Sequence, residues 1–287
     1  MNIDIVCTAK PCDGLFFYSY EYCAYLNNAG IQARLIVITH RKFSKIDYIT
    51  AITQKYTTCD NLVFDDYSPG EQNVTLVLGR SMVTLAYLDF HNYTSVQQGT
   101  LNRVFAQNLV PVYSDNHPQI YPHAIDFFRP NAIADIADTE VYPHAPGLHF
   151  EKRINFDLYK PYTDDVQFEY LFLGTNENYY ARSLEIIDDY PDHGILVYNE
   201  KYLDNRFNHV YAPVDNLLGI FETYVYTKNT SDPAPRLVQE CKYFGKPIEC
   251  QRNTTQRDGG DIYLDRDIKT PDIEPVLEAA RSFEIEN

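Results

Sequence analysis

The chain opens with a strand-length apolar run, a tight turn, a helix-spaced segment and a second apolar run, and this order limits it to a narrow set of folds. Asn2–Thr8 is the first strand, and Ala9–Gly14 is a turn built on Pro11, Asp13 and Gly14. Leu15 to Asn28 carries aromatic and aliphatic residues at helical spacing and stops at Ala29-Gly30, a C-terminal signal. Gln32–Thr39 is the second strand. Strand, helix, strand in that order means a right-handed crossover and a parallel sheet.

The alternation continues. Asn61–Asp65, Val74–Gly79 and Leu109–Tyr113 read as strands and Ser81–Leu88 as a helix. Around residues 130–165 the pattern weakens into sequence punctuated by Pro130, Pro143, Pro146 and Pro161, read as a connection between domains. A second series follows. Its strands are Gln167–Leu173, Ile195–Tyr198, His209–Ala212, Thr223–Thr227 and Pro247–Gln251, with helices over Asn178–Asp189 and Arg236–Phe244. Pro271 starts a last amphipathic helix over Asp272–Phe283. The expectation is an α/β protein of two Rossmann-like, doubly wound domains with a cleft between them. The expected domains are 1–164, 165–270 and a C-terminal helix over 271–287 that returns to the first domain. Ligands on such sheets bind beyond the carboxyl ends of the strands, where strand order reverses, so functional residues are sought just after strands.

Of the 287 residues, 45% are hydrophobic, enough for a sizeable core. The net charge of −16 makes the chain a poor non-specific binder of DNA or of anionic membranes. No apolar run approaches the roughly 18–20 residues of a membrane span, and the N-terminus has no basic stretch followed by a long apolar block. A cytoplasmic protein without a membrane partner is expected, as a monomer or weak oligomer. The six cysteines show no zinc spacing and read as reduced thiols. Sequons at Asn73, Asn92, Asn229 and Asn253 read as compositional accidents, and most of the 25 tyrosines as half-buried packing.

The most informative stretch runs from Thr223 to Ile248: a strand, a polar loop, a helix starting at Pro235, then Gly245-Lys246-Pro247 and another strand. Free N–H groups at the loop and helix start favour an anion. Arg236 and Glu240 lie one helical turn apart. A guanidinium can grip a diphosphate and a carboxylate can accept hydrogen bonds from a ribose diol; the plainer reading is a surface ion pair. This arrangement resembles the donor-binding segment of GT-B glycosyltransferases, in many of which two acids lie eight positions apart, the second on a helix closed by a Gly-Lys-Pro-like turn. Here the second acid is Glu240, and Asp232 stands where a glutamate is usual. The resemblance implies that Glu240 holds the ribose hydroxyls, Arg236 the diphosphate, and Asp232 or its neighbouring backbone the transferred sugar.

Two further segments extend the resemblance. Phe172-Leu173-Gly174-Thr175, followed by a helix with Arg182 in its first turns, matches the turn and arginine that approach the diphosphate in GT-B enzymes, making Gly174, Thr175 and Arg182 candidates. Val210–Val214 is similar to the loop that meets the nucleobase through its backbone, with Val214 as the contact.

In the first half, Val110–Pro118 places Asp115 directly after an expected strand. Bacteriophage DNA glucosyltransferases, which glycosylate hydroxymethylated cytosine, have a similar strand ending in an aspartate that serves as general base, followed shortly by proline. They share the glycine turn, the arginine helix and an Arg/Glu donor helix, with an Arg-to-Glu spacing one residue shorter than here. The resemblance implies that Asp115 is the catalytic base, with Asp13 and Gly14 contacting acceptor or sugar. By local sequence alone Asp115 equally suits a turn before Pro118, as Cys12-Asp13-Gly14 suits a turn, and His117 reads as a polar turn residue.

No metal constellation stands out: His144 and His149 lack partners, and Asp65-Asp66 reads as a solvated strand end although GT-A enzymes use paired aspartates for manganese. No cofactor is required beyond a nucleotide-sugar donor, a UDP-sugar by resemblance, with modified DNA as candidate acceptor. Residues 1–150 carry net −5 and residues 151–287 net −11, so the acceptor half is the less acidic. Its Arg34, His40, Arg41, Lys42 and Lys45 could form a local basic edge. The favoured reading is a sugar transferase acting on hydroxymethylated pyrimidine in phage DNA. The alternatives are a GT-B enzyme acting on a glycan, protein or small molecule, or a non-catalytic sugar-nucleotide binder.

Overall fold

The computed structural model describes residues 2–39, 42–65, 73–77, 104–107, 132–135, 148–150, 154–198, 203–230, 232, 235–255, 259–267 and 274. These fall into two units. One draws on Met1–Tyr48 and Cys59–Asn155, the other on Ile49–Thr58 and Phe156–Lys269.

The first unit is built on the expected βαβ start. Strand β1 (Asn2–Cys7) and β2 (Gln32–Val37) pair in parallel, Ile5 opposite Leu35, with α1 (Gly14–Asn28) between them. Asp13 caps α1, its Oδ1 accepting from Leu15 N at 2.9 Å, and Gly30 ends it at φ 82°, a left-handed conformation suited to glycine. Strands β3 (Leu62–Phe64), β4 (Asn73–Val77), β5 (Val104–Gln107), β6 (Ala132–Asp135) and β7 (Leu148–Phe150) complete a sheet of order β3-β2-β1-β4-β5-β6-β7, parallel throughout. The expected connection over 130–165 thus contains two strands of this sheet. They stand among Pro130, Pro143 and Pro146, which read as linker punctuation, and pairing with neighbouring strands defines them. The expected elements over 81–88 and 109–113 lie outside the described residues, as does the last helix apart from Glu274.

Helix α2 (Lys45–Lys55) was not expected from the sequence. Its buried stripe is narrow (Tyr48, Ala51 and Ile52), and polar residues fill the rest. Its start is a capping arrangement, Ser44 N and Oγ donating to Asp47 Oδ2 at 2.6 and 2.9 Å, a signal legible in Ser44-x-x-Asp47.

The second unit repeats the plan. Strands β8 (Phe168–Leu173), β9 (His193–Val197), β10 (Asn208–Tyr211), β11 (Phe221–Tyr226) and β12 (Ile248–Cys250) form a parallel sheet of order β10-β9-β8-β11-β12. Every residue of β9 is buried, as expected for a strand covered on both faces. Helix α3 (Glu177–Ile186) follows β8, α4 (Arg236–Tyr243) follows β11, and α5 (Gly259–Asp265) comes after β12. Phe172, Ile195, Val197 and Val225 pack against Ile186, Ile187, Tyr190 and Phe207, while Leu237, Val238 and Cys241 are the buried apolar positions of α4. Gly245, at φ 71°, stops α4 where the Gly-Lys-Pro turn was expected to.

In both units the order reverses beside the first strand, between β1 and β4 and between β8 and β11. Each unit is a doubly wound, Rossmann-like α/β domain. All six cysteines are free thiols; burial pushes those of Cys7 and Cys23 up to about 12. Among the described residues no helix is long and apolar enough to cross a membrane.

Candidate functional site

Among the described residues of the second unit, a polar cluster is centred on α4. The segment ending α2 is stitched to the chain ahead of β8 by two backbone bonds, Thr57 N to Leu158 O at 2.9 Å and Lys160 N to Lys55 O at 3.0 Å. This antiparallel bridge aligns Tyr56 with Tyr159 and delivers Lys55 to the same place. Glu240, 2% exposed, accepts through Oε1 from Lys55 Nζ at 2.7 Å, Tyr159 OH at 2.7 Å and Arg236 Nε at 2.5 Å. Arg236 Nη2 in turn reaches Tyr56 OH at 3.0 Å and Tyr159 OH at 2.5 Å. Tyr56 and Tyr159 meet edge to face, and Lys55 lies 5.2 Å from the Tyr159 ring centre.

Burial alone would raise the Glu240 pKa. The charges of Lys55 and Arg236, with the hydrogen bonds from Lys55 and Tyr159, outweigh it and hold the carboxyl below its ordinary value. Glu240 is therefore ionised at neutral pH. All three donors meet Oε1, and among the described residues no donor meets Oε2.

A second cluster lies at the order reversal, just past β8 and β11. Lys228 Nζ pairs with Asp232 Oδ2 at 2.7 Å, and Tyr179 OH donates to the same oxygen at 3.2 Å. Burial, then the Asp232 charge, pushes the Tyr179 hydroxyl well above the usual tyrosine range, so it stays a donor. Beneath it, Ser183 Oγ and Thr227 Oγ1 lie 3.1 Å apart and both donate to Tyr179 O, tying α3 to the end of β11. Arg252 Nε holds the Lys228 carbonyl at 2.6 Å, and Arg182 Nε holds that of Gln251 at 2.8 Å.

No family model matches the chain, and no curated protein matches it. Solved structures do. A glycosyltransferase from Rickettsia africae ESF-5 superposes over 100% of this chain and 93% of its own, with a TM-score of 0.52 at 12% identity. An alpha-glucosyltransferase solved with UDP-glucose and DNA containing an abasic site covers 80% of this chain and 73% of its own, with a TM-score of 0.46 at 9% identity. The fold is GT-B.

Arg236 and Glu240 share one face of α4, as expected, and pair with each other, buried rather than at the surface as the plainer reading had it. Asp232 lies at the β8–β11 reversal with Lys228 and Tyr179. Gly174 follows β8, but its N–H is committed to Leu196 O at 2.8 Å, and a Cβ there would meet Ile195 and Val197 side chains at 2.9 Å. Its small size is used in packing, and its amide is not offered to an anion. Thr175 directly precedes Asn176, whose Oδ1 accepts from Asn178 N and Tyr179 N and so fills the start of α3. Arg182 uses Nε on Gln251 O and Nη1 on Glu185 Oε2. Val214 stands past the end of β10, the edge strand, away from the reversal.

In the first unit Asp13 and Gly14 sit at the start of α1, beyond the carboxyl end of β1, with Asp13 acting as helix cap. Asp65 takes Thr39 N at 2.7 Å and Thr39 Oγ1 at 2.8 Å on its carboxylate. Asp115, His117 and His144 lie outside the described residues. The sequence reading missed Lys55, Tyr56, Tyr159, Lys228 and Tyr179. Lys228 and Tyr179 lay inside quoted motifs and could have been found there. Lys55 ends an unexpected helix, Tyr56 follows it, and both meet Tyr159 across about a hundred residues, which no local pattern encodes.

Proposed function

We propose that this chain is a glycosyltransferase that takes a sugar from a UDP-sugar and delivers it to a hydroxyl group, with a 5-hydroxymethylated pyrimidine of phage DNA as the favoured acceptor. The observation that carries the reading is Glu240: a buried, ionised carboxylate one helical turn from Arg236, with three donors on Oε1 and, among the described residues, none on Oε2. A fold alone does not name an activity, so the weight rests on this residue and on the sequence resemblance that assigns it. Asp232 would meet the sugar. Asp115 would take the proton from the acceptor hydroxyl as that oxygen attacks the anomeric carbon, the nucleoside diphosphate leaving.

Calorimetric titration of UDP-glucose tests the donor half: Glu240→Gln should bind at least about tenfold more weakly, the scale of a lost charge-assisted hydrogen bond. Equal affinity would remove Glu240 from the site. Asp115→Asn should keep donor affinity and lose roughly 10²–10⁴-fold in transfer to hydroxymethylated DNA. The net charge of −16 favours a second reading, in which the acceptor is a glycan, protein or small molecule. Binding of modified duplex DNA that weakens steeply with salt supports the first reading; salt-independent transfer to a small acceptor supports the second.

A further inference from the structure

We propose that Lys228 is a diphosphate-binding residue, and that its ion pair with Asp232 is a resting contact which the incoming donor exchanges. The inference rests on the donor-site reading above and deepens it.

The two arginines expected at the diphosphate are both held by protein acceptors. Arg236 spends Nε on Glu240 and Nη2 on Tyr56 and Tyr159. Arg182 spends Nε on a backbone carbonyl and Nη1 on Glu185. Lys228 differs. Its ammonium meets one carboxylate oxygen, on a residue 18% exposed, and lies 5.3 Å from the Tyr179 ring centre; it is itself 14% exposed. It lies just beyond β11 at the β8–β11 reversal, where a doubly wound sheet receives its ligand. An ammonium on a flexible four-carbon stem can be re-aimed at small cost, unlike a guanidinium forked between fixed partners.

The backbone beneath it is fixed: Arg252 grips the Lys228 carbonyl while bonding Asp261, and the Ser183–Thr227 contact anchors the preceding residue. The side chain can therefore move while its root stays. When Lys228 turns to a phosphate, Tyr179 OH remains on Asp232 Oδ2, so the carboxylate keeps a partner and can accept from a sugar hydroxyl. Without a donor the pair closes on itself and neutralises both groups.

The test is calorimetry with UDP, UDP-glucose and inorganic pyrophosphate on the full chain, with thermal melts to check folding. Lys228→Met should weaken UDP and pyrophosphate alike by about tenfold or more, and Lys228→Arg should restore much of the loss. Asp232→Asn should bind UDP more tightly than the wild type, because the competing carboxylate is gone, and should lose any preference for UDP-glucose over UDP. If Lys228→Met leaves UDP affinity unchanged while Glu240→Gln weakens it, the exchange is wrong and the donor site stands. If neither variant changes UDP affinity, both fall together.

Discussion

Lys228–Asp232 and Arg236–Glu240 are two ion pairs of the same spacing, set end to end along one segment, and they do different work. Only the second lies on a helix, where a four-residue separation puts the partners on one face. Its carboxylate is 2% exposed and takes three donors, two of them from outside the helix. The first lies in the loop after β11, with both members partly exposed and the Tyr179 hydroxyl and ring beside it. Equal spacing in sequence thus gives one pair that locks α4 to the Tyr56–Tyr159 bridge and one that can open. The difference comes from what the surrounding chain brings, not from the pair itself.

The contrast is open to direct attack. The largest effect should follow Glu240→Ala, which leaves Lys55 and Arg236 facing each other without their anion; urea unfolding should show a loss of about 3–5 kcal/mol. Tyr159→Phe removes one donor to that carboxylate and one acceptor of Arg236, and should cost about 1.5–3 kcal/mol in the same measurement.

Acidification probes the same pair without truncation. The folded pKa of Glu240 lies below its ordinary value of 4.5, so the stability it supplies is complete above that value and disappears as pH falls through the folded pKa. The stability difference between wild type and Glu240→Gln should therefore be flat near neutrality and shrink in acid. A difference that grew on acidification would reverse the assignment of charge.

Lys228→Met should be the mildest, about 0–1 kcal/mol in stability, as for other partly exposed pairs. A loss as large as that of Glu240→Ala would make Lys228–Asp232 a structural lock and erase the distinction between the pairs.

Much of the second unit could be read in the sequence. Each of its strands was expected within two residues of where it lies; in β8, β9 and β11 the buried runs Leu171–Leu173, Ile195–Val197 and Tyr224–Tyr226 are what a strand covered on both faces requires, while the edge strands β10 and β12 are partly exposed. Gly245 and Gly30 were legible as helix stops because the left-handed conformation there favours glycine. Strands β6 and β7 were not legible, since they stand among Pro130, Pro143 and Pro146 in a stretch that reads as a connection, and pairing with segments elsewhere in the chain defines them. Gly174 was read as an anion contact on its motif; its amide bonds and its contact with Ile195 and Val197 depend on β9, which the motif does not contain.

By itself the sequence determined the α/β alternation, the parallel sheets and the placing of Arg236 and Glu240 on one face of one helix. These follow from local rules: turn chemistry, periodicity and helical geometry act over a few residues. Tertiary structure alone decided that Glu240 is buried and charged, that Lys55, Tyr56 and Tyr159 surround it, and that Lys228 stands at the strand-order reversal. Those properties belong to contacts between segments far apart in the chain, and a carboxylate's ionisation follows from the charges and donors packed against it rather than from its neighbours in sequence.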